Sequence, residues 1–244
     1  MRKTRMFGAE LMKLKHTPFI LSHIWIPALG AVGFAAYYVM YRGQLASDRI
    51  RLIFEVTATL FPFLCSIMTG IAVMQEEQES HFFHLLSEQG RFKILLAKLL
   101  ILWGFGILAL WILGAVFAAG IGLGGELRAE VLAALMKLFA GAAVSSIVLY
   151  VFHLFISLAY GFGISVFFGV FESMQAIIYS NIELAGIWRY IPFAWQIEWG
   201  KDVLNGNVAV HAAQWGIRLA LGAAGVLLLV LWFERWEGRK RYEA

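Results

Sequence analysis

An all-α polytopic membrane protein is the fold class that this sequence predicts, on three observations. Hydrophobic residues make up 61% of its 244 residues and charged ones only 15%, far from the roughly even apolar share and roughly one-quarter charge of soluble domains. Mean hydropathy is +0.74. The apolar residues gather into six runs, separated by short polar or basic stretches, each about long enough to cross a hydrocarbon core of roughly 30 Å. One polytopic bundle, a single domain over residues 1–244, therefore accounts for nearly all of the chain.

Residues 1–17 carry Arg2, Lys3, Arg5, Lys13 and Lys15, with Phe7, Leu11 and Leu14 on one helical face. That spacing predicts a basic amphipathic helix on the membrane surface, ended before Pro18. A signal peptide also begins with basic residues, but the apolar run at 19–40 is too long for its core and lacks a cleavage site. It reads as an uncleaved first span, about 33 Å long at 1.5 Å per residue. Further spans are expected at about 52–74, 94–121, 132–158, 162–182 and 214–233.

Residues 75–93 form the polar stretch around which the chain is organised. Glu76, Glu77 and Glu79 stand together, followed by Phe82, Phe83, Leu85 and Leu86 at helical spacing. A short amphipathic helix between two spans either lies on lipid headgroups or docks onto a soluble partner. The acidic face favours docking, because headgroup-bound helices carry Lys and Arg on the polar side. Residues 183–211 are rich in aromatics, with Trp188, Tyr190, Trp195 and Trp199 among Glu183, Arg189, Glu198 and Lys201. They suit a re-entrant or interfacial segment before the sixth span.

The net charge of +4 reflects basic residues at span ends, which anionic lipid explains without nucleic acid. With the N-terminus inside, twelve basic residues face the cytoplasm and seven the other side. Both termini and residues 75–93 are then cytoplasmic. Cys65 is the lone cysteine, which excludes an intrachain disulfide and a thiolate metal cluster. His81, His84 and Glu88 share a helical face, but a single H-x-x-H reads as a solvated face rather than a metal site.

No catalytic constellation is found. The only Gly-Lys pair, Gly200-Lys201, is followed by Asp202 and lacks the glycine of a phosphate-binding loop. Any ATP and Mg must be held by another chain. Glu76-Glu77 has His81 where membrane prenyl-protein proteases carry Arg, which excludes that enzyme. Glu172 and Gln175 fall within the apolar register of the fifth span, and His153 within the fourth. Glu172 at mid-membrane must face protein or a watery cavity; if the span ends early it is interfacial. Glu172, Gln175 and His153 are the candidates for a transport pathway or subunit interface.

The order of these features resembles the membrane subunit of type-2 ABC exporters, and most of all the lantibiotic-immunity permeases. The residues that carry the likeness are Ala9-Glu10-Leu11 with Lys13-Leu14-Lys15, residues 27–38, and Glu76-Glu77 followed by residues 82–87. Lys98-Leu99-Leu100 and residues 190–195 complete the set. The resemblance implies a bacterial cell-membrane permease paired with a second related permease or a copy of itself, and with two ATPase subunits. Glu76, Glu77, Glu79, Phe82, Phe83 and Leu86 would couple to the ATPase. Glu183, Trp188, Trp195 and Glu198 would lie where specificity for a lanthionine peptide is set. Export of another hydrophobic drug or lipid, or a scaffold or sensor without transport, are the alternatives.

Overall fold

The computed structural model describes residues 2–15, 17–41, 43, 45–87, 90–181, 190–208 and 212–239. The described chain is helical throughout, with no strand among the described residues. Its helices are α1 (Arg2–Lys15), α2 (Pro18–Met40), α3 (Ala46–Ser80), α4 (Phe83–Ser87), α5 (Arg91–Leu123), α6 (Ala129–Ser145), α7 (Ile147–Tyr160), α8 (Phe162–Asn181), α9 (Trp195–Leu204) and α10 (Ala212–Arg235). Five stretches are long and apolar enough to cross a membrane: α2, α3, α5, the continuous α6–α7 pair, and α10. The apolar part of α8 is shorter. This is a multi-pass membrane protein by length and composition.

α3 is the central element. It packs along α8 and α7 and receives α9 against its first turns. At 35 residues it is about 52 Å long, more than the roughly 30 Å of a hydrocarbon core, so both of its ends project beyond the apolar zone. Each projecting end holds a buried charge. At the first, the Arg49 guanidinium donates to the Tyr38 carbonyl, pairs with Glu126 at 2.9 Å and lies 3.8 Å over the Tyr38 ring. That contact ties the end of α2, the start of α3 and the turn after α5. The other end carries Glu76. Arg49 and Glu76 are about 40 Å apart along the helix, close to a bilayer's thickness with its headgroups.

α8 runs antiparallel to α3, with Phe162 beside Gly70 and Gly169 beside Ser66. A Cβ on Gly169 would stand 2.2 Å from Ser66 Oγ and 3.1 Å from the Phe63 Cα, so the two backbones touch only because position 169 has no side chain. The expected fourth span is two helical pieces meeting at Ser146. There the Trp103 indole of α5 donates to the Ala143 carbonyl at 3.0 Å and to Ser146 Oγ at 3.1 Å. The ladder bonds of Ser146 to Ala142 and of Tyr150 to Ser146 are kept, so the two pieces form one continuous rod.

Gly169→Ala should separate α3 from α8 at a cost of about 1–3 kcal/mol, lowering the detergent-solubilised melting temperature. Gly104→Ala meets open space and should be neutral or stabilising by up to about 1 kcal/mol. Equal melting temperatures for the two variants would rule out the close approach.

Candidate functional site

α3 does not stop where its apolar run stops. It continues to Ser80, and His81 and Phe82 then take left-handed backbone angles, φ 47° and 65°. Non-glycine residues seldom adopt that region, and here burial holds them. The Phe82 ring is 3% exposed and meets Trp236 edge-on at 5.1 Å, with the Arg239 guanidinium 5.4 Å over it. The backbone N–H groups of His81 and Phe82 donate to the Glu77 and Glu76 carbonyls. The five-residue α4 follows, with Leu85 buried, Leu86 half-buried and Phe83 67% exposed. Arg91 closes the turn by donating to the Leu86 carbonyl at 3.0 Å and the Trp236 carbonyl at 3.2 Å.

Beneath this turn lies a buried network of four charges. Lys13 of α1 reaches Glu10 at 2.8 Å and Glu76 at 2.7 Å. Lys98 of α5 reaches Glu10 and Glu76, each at 2.8 Å. Two carboxylates alternate with two ammonium groups, so the cluster is neutral as a whole and each carboxylate meets both cations. Gln75 adds a hydrogen bond to the Lys13 carbonyl at 2.9 Å. Three separate helices are joined by this one knot: α1, the last turns of α3 and the first turns of α5. Burial opposes the charge on Lys13, but hydrogen bonds to Glu10 and Glu76 outweigh it and hold its pKa above the ordinary lysine value.

These positions revise the expected acidic face. Glu76 is 2% exposed because it lies three, four and seven residues beyond Val73, Ala72 and Thr69, all buried, on the same side of the helix. Glu77 pairs with Arg239. Glu79 alone of the three is well exposed, accepting from Gln75 at 2.9 Å. Phe82, expected as a knob for another protein, is enclosed against Trp236; Phe83 is the aromatic that faces outward.

A second polar group lies inside the bundle. His153 of α7 meets Glu172 of α8 at 3.1 Å through Nε2 and Ser165 Oγ at 3.2 Å through Nδ1. Both His153 and Glu172 are buried, while Gln175 is half-buried. The antiparallel alignment of α8 on α3 puts Glu172 roughly midway between Arg49 and Glu76, about 20 Å from each by helix rise. Glu172 is therefore a paired, buried group at that level of the bundle. Towards one side, a largely apolar cavity of ≈ 150 Å³ lies between α2, α3 and α5, lined in part by His23, Pro27, Phe61, Cys65, Met68 and Tyr150.

In the aromatic segment, Trp195 is fully buried and Trp199 nearly so, with the Trp199 indole donating to the Lys137 carbonyl at 2.8 Å. Trp195 is thus a packing residue rather than an exposed specificity contact. Glu198 is buried too, and pairs with Lys201 at 3.3 Å; burial raises its pKa above the usual carboxylate range, against the pull of Lys201. Glu183 and Trp188 lie outside the described residues. Among the described residues no three His, Cys, Asp or Glu side chains converge to hold a metal.

Sequence reasoning missed Glu10 and Lys98 as members of a site, although a signal was present. Glu10 sits three residues after Phe7 and four before Leu14, a lone carboxylate on an apolar helical face. Such a position demands a buried cation. Nothing in the sequence said which cation that would be.

Removing one partner of a buried ion network costs about 3–5 kcal/mol, so Lys98→Met should release α1. The measure is thiol labelling at position 14 in a Leu14→Cys, Cys65→Ser background, where Lys98→Met should label much faster than its parent. Unchanged labelling would show that α1 is held by apolar contacts alone. A raised ammonium pKa stabilises the fold below the unfolded value of about 10.4 and is lost only as pH climbs through the folded value. From Lys13, therefore, protection of position 14 should not change between about pH 6 and 9 and should fall only in stronger alkali.

No family model matches the chain, and no curated protein or solved structure is significantly similar to it.

Proposed function

We propose that this chain is the non-catalytic membrane subunit of an ATP-driven exporter in a bacterial cell membrane, of the type-2 ABC kind. In this reading ATP and Mg are held by two copies of a separate ATPase. The permease works beside a second, related permease or a copy of itself, and expels a lantibiotic-like, membrane-active peptide. The observation that carries the proposal is α4 with its exposed Phe83. This short helix presents one aromatic outward while its inner side is fastened to α3, α5 and the chain after α10. A displacement at Phe83 would be passed to all three, and through the four-charge network to α1. Interfaces and packed cores switch between discrete arrangements, so such a wired platform suits the conversion of a partner's motion into opening between spans.

Six crossings fit this reading. Glu10 and Arg239 both contact the end of α3 near residues 76–77, so the two ends of the described chain meet at one end of the bundle. An even number of crossings fits that arrangement, and in this reading α8, at 20 residues about 30 Å long, is the sixth. The bias of basic residues supports a cytoplasmic position for that shared end. α1, with Phe7, Leu11 and Met12 exposed beside its basic residues, would lie on the inner headgroups. The apolar cavity between α2, α3 and α5 favours one second reading, a permease for a hydrophobic drug or lipid.

Phe83→Ala should leave the protein folded while weakening its hold on the ATPase by on the order of 2 kcal/mol, about thirtyfold. Phe82→Ala should instead lower stability by about 3–5 kcal/mol. Pull-down of the ATPase at matched membrane levels separates the two, and full recovery with Phe83→Ala removes the coupling assignment.

His153 and Glu172 give a second test. Each single variant, Glu172→Leu or His153→Leu, strands a buried polar partner at about 1–3 kcal/mol, and the double variant should regain part of that stability. If the pair lines the transport path, peptide tolerance stays lost in the stabilised double variant. Tolerance that returns with stability assigns the pair to packing.

A further inference from the structure

Arg218 belongs neither to the coupling turn nor to the His153–Glu172 group, yet it is only 4% exposed. It stands in α10 beside a cavity of ≈ 160 Å³, whose wall also includes Ser145, Trp195, Trp215, Gly222 and Val226. The guanidinium lies 5.0 Å over the Trp215 ring and 5.8 Å from that of Trp195. Among the described residues, Arg218 Nη1 and Ser145 Oγ have no hydrogen-bond partner. Two buried donors without acceptors on the wall of one cavity are costly unless something fills it. What they lack is an oxygen.

The rest of the cavity is apolar. It follows α10 from Trp215 through Leu219, Gly222 and Ala223 to Val226, about 16 Å by helix rise. Its donor end is near the start of α10, at the level of the aromatic segment, and its apolar end runs towards the middle of the span. Leu219 and Ala223 are exposed, so the groove opens sideways from the bundle. Arg218, about 6 Å by helix rise inside the start of the sixth apolar run at Gln214, stands at the outer end of an apolar slot, the polarity order of a lipid whose headgroup is drawn inward. Gly222 has no side chain to block the slot; a Cβ there would only touch Ile147 and Val148 at 3.5 and 3.6 Å. A cavity of about 150 Å³ takes a group of benzene's size, so one segment of an acyl chain fits and a whole lipid does not. Asp202 and Glu198 lie near enough to Arg218 to offset its charge. The guanidinium still bonds an anionic phosphate oxygen more strongly than a neutral ester oxygen.

We propose that this groove is a binding site for one glycerophospholipid, with a phosphate oxygen on Arg218 Nη1 and Ser145 Oγ and an acyl chain along Gly222. The site is independent of the transport reading, and its test needs no ATPase. The full chain, delipidated in detergent, is titrated with phosphatidylglycerol and with diacylglycerol and followed by native mass spectrometry. One phosphatidylglycerol per chain should bind, and diacylglycerol should bind at least about tenfold more weakly for want of the charge-assisted bond. Arg218→Gln should lose about tenfold for phosphatidylglycerol, and Gly222→Leu should lose it by filling the slot with the donors intact. Ser145→Ala, the mildest change, should weaken binding in a chain that folds as its parent does. Equal affinity for the two lipids, or unchanged binding in Arg218→Gln and Ser145→Ala, overturns the proposal. Displacement of the lipid by about 10 mM inorganic phosphate would also overturn it, by assigning the donors to a free anion.

Discussion

Two carboxylates and two ammonium groups at the end of α3, all but the half-buried Lys13 shut away from water, are the constraint on which that end of the bundle depends. Charges taken out of water are expensive, and their mutual attraction repays that only when every lone pair and proton has a partner. Glu10, Lys13, Glu76 and Lys98 meet the condition by alternation, since each carboxylate sees both cations and each cation both carboxylates. The arrangement is strict in a way that apolar packing is not. A leucine slides a few tenths of an ångström at little cost, whereas a buried ammonium that loses its carboxylate does not. The network therefore fixes how α1 sits on α3 and α5, and makes that amphipathic helix part of the bundle.

The turn above the network is built on the same footing. Left-handed backbone at His81 and Phe82 is tolerated because the Phe82 ring is enclosed by Trp236 and Arg239. Residues after α10 thus hold a turn that lies far back in the chain. Glu77 and Arg239 tighten the same contact from the side. With its inner face used up in this way, α4 offers Phe83 and its neighbour His84 outward. A short helix that is rigid beneath and apolar above is suited to receive a push, and that is why the coupling reading gathers on one aromatic side chain instead of three.

At the other end of the bundle Arg49 does alone what four residues do below. It joins three segments through a carbonyl, a carboxylate and an aromatic face. Between the two ends the helices meet through small residues and aromatics, as expected where lipid gives no hydrophobic drive to association. Among the polar groups there, His153 and Glu172 pair, whereas Arg218 and Ser145 open on a cavity. The difference between them is physical. A pair is closed, and an unpaired donor invites an acceptor from outside the chain.

The apolar runs, their lengths and the basic residues at their ends were legible in the sequence, because a bilayer imposes on composition a thickness that no tertiary contact can alter. The helix over residues 19–40, the polar break after residue 74 and the turn at residues 160–162 all follow from that one dimension. Partners were not legible. Glu76 reads as one of three solvated carboxylates, and only the extension of α3 by two turns brings it onto the buried face of Val73 and Ala72. Phe82 and Phe83 are adjacent and alike in sequence; a left-handed turn sends the first inward and the second outward. Trp195 suggests a headgroup anchor by composition, yet α9 folds back on α6 and encloses it. Lone charges such as Glu10 and Arg218 stand out against their surroundings, so the sequence could signal that each must be satisfied. Which group satisfies them depends on helices that come together from distant parts of the chain, and distance along the sequence carries no information about that.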